Sequence, residues 1–139
     1  MAYELDDDPA RVDLGVVWSF LSTEAYWGRW RSRDDVVRQL QGSWRVLGAY
    51  HGGAMVGYAR AISDGVSLAY LADAFVLREH RGRGLGRRLI AGMVQEGPGR
   101  DFRWLLNTSD PGIYEPFGFR APDESLLERE GANPMRQAR

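Results

Sequence analysis

The segment Arg81-Gly82-Arg83-Gly84-Leu85-Gly86 sits between an apolar, strand-like run, Leu68 to Leu77, and a helix-like run, Leu85 to Val94. A glycine-rich turn where a strand hands over to a helix directs backbone N–H groups at an anion, and the helix N-terminus adds partial positive charge. Arg78, Arg81, Arg83, Arg87 and Arg88 surround the turn, with Glu79 alone opposing them. A phosphate-bearing ligand is therefore expected. A P-loop requires G-x-x-x-x-G-K-[ST], and the 139 residues include no lysine. A dinucleotide fingerprint, G-x-G-x-x-G, counted from Gly82 would place its third glycine at Arg87. What remains is R-x-x-G-x-G after a strand, opening a helix.

Periodicity supplies the rest of the layout. A first strand is expected within Tyr3 to Val12, interrupted by Asp6-Asp7-Asp8 and Pro9. Asp13 can cap a helix with Leu14, Val17, Trp18 and Leu21 on one face. Ser32 to Leu40 reads as a second helix, with Val36, Val37 and Leu40 inward. Trp44 to Tyr50 and Ala54 to Ile62 read as strands around the turn His51-Gly52-Gly53. Asp64-Gly65 turns the chain into a strand over 66–77. The helix over 85–95 ends at Gly97-Pro98-Gly99, and Phe102 to Thr108 is the next strand. Asp110-Pro111 opens a short helix through Tyr114 that stops at Gly118. Phe119 begins a last strand, with another over Leu126 to Glu128, before a polar tail. Strand 66–77, helix 85–95 and strand 102–108 form a right-handed βαβ unit. The expected class is α/β (α+β): a central mixed, mostly antiparallel sheet with flanking helices, in a single domain of residues 1–139.

The R-x-x-G-x-G loop resembles the pyrophosphate-binding motif of the GNAT superfamily of N-acetyltransferases, which use acetyl-coenzyme A. Tyr114-Glu115-Pro116-Phe117-Gly118-Phe119 is similar to that family's Y-E-x-x-G-F signature after the fifth strand. The resemblance covers nearly the whole chain and implies a GNAT fold and an acyltransferase. It further implies that the fourth strand bulges and splays from the fifth, so that Ala74, Phe75 and Val76 meet pantetheine and the acetyl carbonyl. The Val76 N–H would polarise the thioester; one such donor is typically worth ~3 kcal/mol. Arg81, Gly82, Arg83, Gly84, Leu85, Gly86 and Arg87 would cradle the diphosphate, glycines 84 and 86 allowing close approach. Asn107 would bond pantetheine, and Tyr114 would protonate the departing thiolate.

Asp73, the only charged residue in the run over 66–77, is the candidate general base. Desolvation in an apolar strand is expected to raise its pKa. The bland reading is a bulge Asp paired with an arginine, and Glu24 is the reserve base. Tyr26 and Trp27 are candidate walls of the acceptor site, able to hold a cationic amine by cation–π attraction or simply to fill core. Arg29, Arg31 and Arg33 suggest either an anionic group on the acceptor or a solvated face. His51 is expected to be exposed in its turn, and His80 to lie within reach of phosphate.

The composition excludes much else. Cysteine is absent, and with it disulfides, thiolate catalysis and cysteine zinc sites; two histidines leave little for any metal centre. A net charge of −1 gives no pull towards nucleic acid. No apolar run approaches the ~20 residues of a membrane span, and the acidic N-terminus is unlike a signal peptide, so a cytoplasmic location is expected. The expected activity is acetyl transfer from acetyl-coenzyme A to a primary amine, by direct attack, with a small-molecule or peptide acceptor and no metal. Dimers are common in the family, so a homodimer is among the expectations. The alternative is a non-catalytic acyl-coenzyme A binding or sensing module.

Overall fold

A computed structural model describes residues 2–25 and 30–131. Tyr26, Trp27 and Arg29 lie outside the described residues. Five strands form one sheet in the order β1-β2-β3-β4-β5: β1 Glu4–Asp6, β2 Arg45–His51, β3 Ala54–Ser63, β4 Leu68–Val76 and β5 Arg103–Leu105. The first four pair antiparallel and β5 joins β4 in parallel, so the sheet is mixed. Helices α1 Leu14–Thr23 and α2 Arg33–Gly42 precede β2, and α3 Leu85–Val94 connects β4 to β5.

Local chemistry sets the helix starts. The Asp13 carboxylate accepts from the Val16 N–H at 3.2 Å and caps α1. Ser32 and Asp35 form a reciprocal capping box on α2. The two sheet faces take different helices. On one, α3 buries Leu85, Leu89, Ile90, Met93 and Val94 against Leu47, Val56, Ala59 and Leu71. On the other, Val17, Phe20 and Leu21 of α1 and Val36 of α2 pack against Val46, Met55, Tyr58 and Phe75. The chain thus builds two cores with β2–β4 between them.

Several expectations are corrected. The first strand spans only Glu4–Asp6, because Asp8 caps a 3-10 turn at Pro9–Arg11 by accepting from the Ala10 N–H. The strand over 102–108 is confined to Arg103–Leu105, where β4 is close enough to pair. The helix expected after Asp110 is two 3-10 turns, Pro111–Ile113 and Glu115–Phe117, and the Asp110 side chain makes no capping bond. Pro116 has no N–H with which to continue a helix. No strand forms after β5 among the described residues. Instead Arg120 reaches Ala121 O at 3.0 Å and Asp123 Oδ1 at 2.9 Å, closing a turn that contains Pro122.

Candidate active site

The site begins with an irregularity in β4. Regular pairing opposes Ala72 to Arg60, and then Phe75 to Tyr58 and Val76 to Gly57. One residue too many therefore stands on β4, a β-bulge. It falls at Asp73, whose φ of 54° makes it the sole non-glycine residue with positive φ among the described residues.

The bulge determines where backbone groups point. The Leu77 N–H donates to Val56 O at 2.8 Å, so Leu77 and Val56 form a hydrogen-bonded pair. In an antiparallel ladder the neighbouring pair, Val76 and Gly57, then turns its N–H and C=O groups outward. Val76 thus faces the β5 side. Pairing with β5, however, stops at Tyr70 and Leu105. Among the described residues no β4–β5 pairing follows, so the Val76 N–H is directed into the opening left on that side of β4. The Val76 carbonyl points the same way and accepts from Arg81 Nε at 2.9 Å. By the same alternation the Ala74 backbone faces the opening. Phe75 does not: its backbone faces β3, and its ring stacks on Phe20 with centroids 4.1 Å apart. The expectation that Phe75 lines the cofactor gap is corrected on that ground.

Past β4 a 3-10 turn, Arg78–His80, leads to the glycine loop. Gly82 and Gly84 adopt φ of 78° and 77°, the left-handed region that glycine enters without steric penalty. Gly84 is the residue before α3, and no side chain of the described residues caps that helix. The Arg88 N–H reaches Gly84 O at 3.1 Å, so the N–H groups of Leu85, Gly86 and Arg87 precede the first helical bonds. Gly86 differs from its neighbours. Its φ is ordinary, and an added Cβ would meet only Val76 Cγ2, at 3.9 Å. The loop arginines divide by task. Arg81 holds the end of β4, and Arg88 reaches Tyr3 O at 3.3 Å. Arg83 and Arg87 are exposed and make no ion pair among the described residues. His80 accepts from or donates to Tyr3 Oη through Nδ1 at 3.0 Å.

Tyr114 joins the two 3-10 turns after β5. It is half-buried against the α3 core, which also receives Ala74 and Val76, and meets Phe119 edge to face at 5.8 Å. Burial, with a smaller contribution from Asp110, pushes its phenol above the ordinary value, so it stays protonated at neutral pH. Asn107 is exposed two residues beyond β5, not within a strand.

Asp73 follows the second of its two readings, a bulge Asp paired with arginine, and not the first, a desolvated base. Its carboxylate accepts from Arg31 Nη1 and Nη2 at 2.6 and 2.7 Å and from Arg60 Nε at 2.7 Å, all three residues being buried. Burial alone would raise its pKa, but the Arg31 hydrogen bonds and the charges of Arg60 and Arg31 outweigh it, and the pKa lies below the ordinary value. The raised pKa expected from the sequence is corrected: the strand is apolar, yet two guanidiniums converge on it. Arg31 is correspondingly not a solvated arginine, and it also donates to Gln39 Oε1 at 2.9 Å. The one available signal for the second arginine was Arg60, an isolated charge in an apolar strand; it stands opposite Ala72 and reaches the neighbouring Asp73. Glu24 is exposed at the end of α1, 3.6 Å from Arg78 Nη2. Among the described residues no group of three or more His, Cys, Asp or Glu could hold a metal ion, and no helix is long and apolar enough to cross a membrane.

A glycine loop at a helix N-terminus, beside an outward-facing strand N–H, suits a ligand that carries both a phosphate and a carbonyl group. The Acetyltransferase (GNAT) family model matches residues 4–119, and the chain belongs to that family. Its structure is similar to a protein of Xanthomonas campestris pv. campestris classed with the GNAT acetyltransferases, with 33% identity over 99% of both chains and a TM-score of 0.87. A Deinococcus radiodurans R1 protein of the acetyltransferase group shares 21% identity over 91% of this chain and 88% of its own, at a TM-score of 0.71. An aminoglycoside N-acetyltransferase in complex with coenzyme A shares 16% identity over 93% of this chain and 95% of its own, at 0.65. These last two likenesses are of fold alone. No curated protein matches the chain.

Proposed function

We propose that the protein transfers the acetyl group of acetyl-coenzyme A to a primary amine by direct attack, both substrates being bound together. The observation that carries this reading is the Val76 N–H, turned into an opening that begins beside the glycine loop. The diphosphate would lie on the N–H groups of residues 82–87, with Arg83 and Arg87 adding charge. The thioester carbonyl would lie at Val76, and Asn107, at the rim beyond β5, would bond pantetheine.

The free amine adds to the thioester carbon, and the carbonyl oxygen becomes an oxyanion held by the Val76 N–H. Collapse breaks the C–S bond and expels the coenzyme A thiolate, which takes a proton from the Tyr114 phenol. The nitrogen sheds its extra proton to water at the mouth of the opening, and water returns a proton to the Tyr114 phenolate. Asp73 is not assigned the base role, because its carboxylate is buried and bound on both oxygens. Tyr26 and Trp27 stand as proposed acceptor contacts on sequence grounds alone.

Calorimetry with acetyl-coenzyme A, followed by a thiol-release screen over amine classes, tests the reading. Binding with turnover of at least one amine, lost in Tyr114→Phe with affinity retained, supports it. Binding without turnover for any amine favours an acyl-coenzyme A sensor, and no binding rejects both.

A further inference from the structure

The buried charges around Asp73 lie next to the proposed oxyanion donor, yet the chemistry above does not use them. Their place in the sheet shows what they do. The Arg103 N–H donates to Ser67 O at 2.8 Å, and Leu68 stands opposite Arg103. Residues 67, 69 and 71 therefore face β5, and 68, 70 and 72 face β3. Continued without interruption, that alternation would turn Val76 towards β3 and spend its N–H in the ladder. The extra residue at Asp73 reverses the phase, so that Ala74 and Val76 face the opening instead.

The extra residue takes a left-handed backbone conformation, which residues other than glycine adopt uncommonly, Asp and Asn more often than most. Such a conformation persists only where the surroundings over-determine it. Here they do. Arg31 grips Asp73 with both terminal nitrogens, and Arg60, on the neighbouring strand, takes the same carboxylate through Nε. Arg31 lies just before α2 and is braced by Gln39 on that helix. The Tyr58 phenol is buried nearby and is pushed up by desolvation, so it stays neutral.

We propose that Asp73 is a positioning residue for acetyl transfer: clamped between Arg31 and Arg60, it holds the β4 bulge that aims the Val76 N–H at the thioester. The clamp also ties that donor to the chain entering α2. This inference rests on the proposed function, in which the Val76 N–H polarises the acetyl carbonyl.

The test uses carbonyl-¹³C acetyl-coenzyme A, which reads the donor without an acceptor. Bound to the parent protein, the thioester carbonyl should move from its free position in both carbon NMR and infrared spectra. Asp73→Asn keeps the shape and removes the charge; Arg31→Lys keeps the charge and removes the fork. Both should bind acetyl-coenzyme A within about threefold of the parent, since the diphosphate contacts lie elsewhere. Both should lose the carbonyl displacement, and kcat should fall about a hundredfold, the loss typical of one oxyanion donor. The fall should be equal at every pH, whereas removal of a general base would abolish the acidic limb of the profile. A parent-like carbonyl signal in both variants overturns the proposal, as does loss of native circular dichroism in both, which would make the clamp a folding element only. If Asp73→Asn alone fails to fold, Arg31→Lys decides. A parent protein that does not bind acetyl-coenzyme A rejects the underlying function and this inference with it. Parent binding with an undisplaced carbonyl rejects the role of Val76 while leaving the diphosphate site standing.

Discussion

Two glycines in one loop should respond oppositely to the same substitution. Gly84 has φ of 77°, and an added Cβ would meet nothing within 4 Å. Gly84→Ala therefore creates no clash with the protein, only the penalty of a left-handed L-residue, about 1–2 kcal/mol. For a chain of this size that corresponds to a fall in Tm of roughly 3–8 °C. If the backbone relaxes to escape the strain, the N–H groups of residues 85–87 lose their aim. Losing one hydrogen bond to a charged group removes about 1.5–3 kcal/mol, so coenzyme A affinity should fall at least about tenfold. Gly86 has an ordinary φ and room beside Val76 Cγ2 at 3.9 Å. Gly86→Ala should raise stability by about 0.5–1 kcal/mol through helix propensity and leave affinity nearly intact. Gly53, with φ of 87° and open space, is the control, since it lies in a hairpin turn and not in the glycine loop. Gly53→Ala should lower Tm as Gly84→Ala does without weakening coenzyme A. Differential scanning fluorimetry and calorimetry on the three variants suffice. Equal affinities for Gly84→Ala and Gly86→Ala would refute the argument that the left-handed residue aims the donors.

Removing the Asp73 carboxylate leaves two buried guanidiniums unmatched, and Asp73→Ala should lose about 3–5 kcal/mol in urea unfolding. Because its pKa is lowered on folding, the stability it supplies is present above the unfolded value of about 3.9 and lost as pH falls through the folded value. The urea midpoint should drop below about pH 4 in the parent, and Asp73→Asn should lack that component. Tyr114→Phe should reduce kcat about a hundredfold or more in a thiol-release assay at nearly constant coenzyme A affinity. Since burial raises the Tyr114 pKa, its ionisation should give no alkaline limb below about pH 10. Coenzyme A affinity should weaken as sodium chloride is raised, because Arg83 and Arg87 are exposed; a salt-independent Kd would deny them a role.

Where a structural choice rests on neighbours in the chain, it could be read from the sequence. Asp13 and Ser32 start their helices through bonds spanning three residues, and the inward residues of α3 follow a period that any helix obeys. The glycine loop was legible for the same reason, because positive φ at Gly82 and Gly84 is a local demand. The strand expected at Phe119 failed because a strand needs a partner, and the chain here closes a local turn through Arg120 and Asp123 instead. An arginine partner for Asp73 was among the expectations, but which arginines, and that there are two, was beyond local reasoning. Arg31 lies 42 residues away, and only the folded sheet brings it to Asp73.

The order of residues by itself thus determined the helices α1–α3, the strands β2–β4, the anion-seeking turn and the family whose motifs it carries. Those properties arise from backbone sterics and contacts within a few positions. Tertiary structure alone decided which backbone groups of β4 face the opening. That depends on one extra residue in a strand, on where β5 stops pairing, and on two arginines from other elements. Strand register is a relation between distant segments, so a one-residue change inverts the direction of every N–H that follows. The chemistry proposed for Val76 therefore rests on a bulge whose exact residue and whose two arginine partners were decided only once the strands were paired.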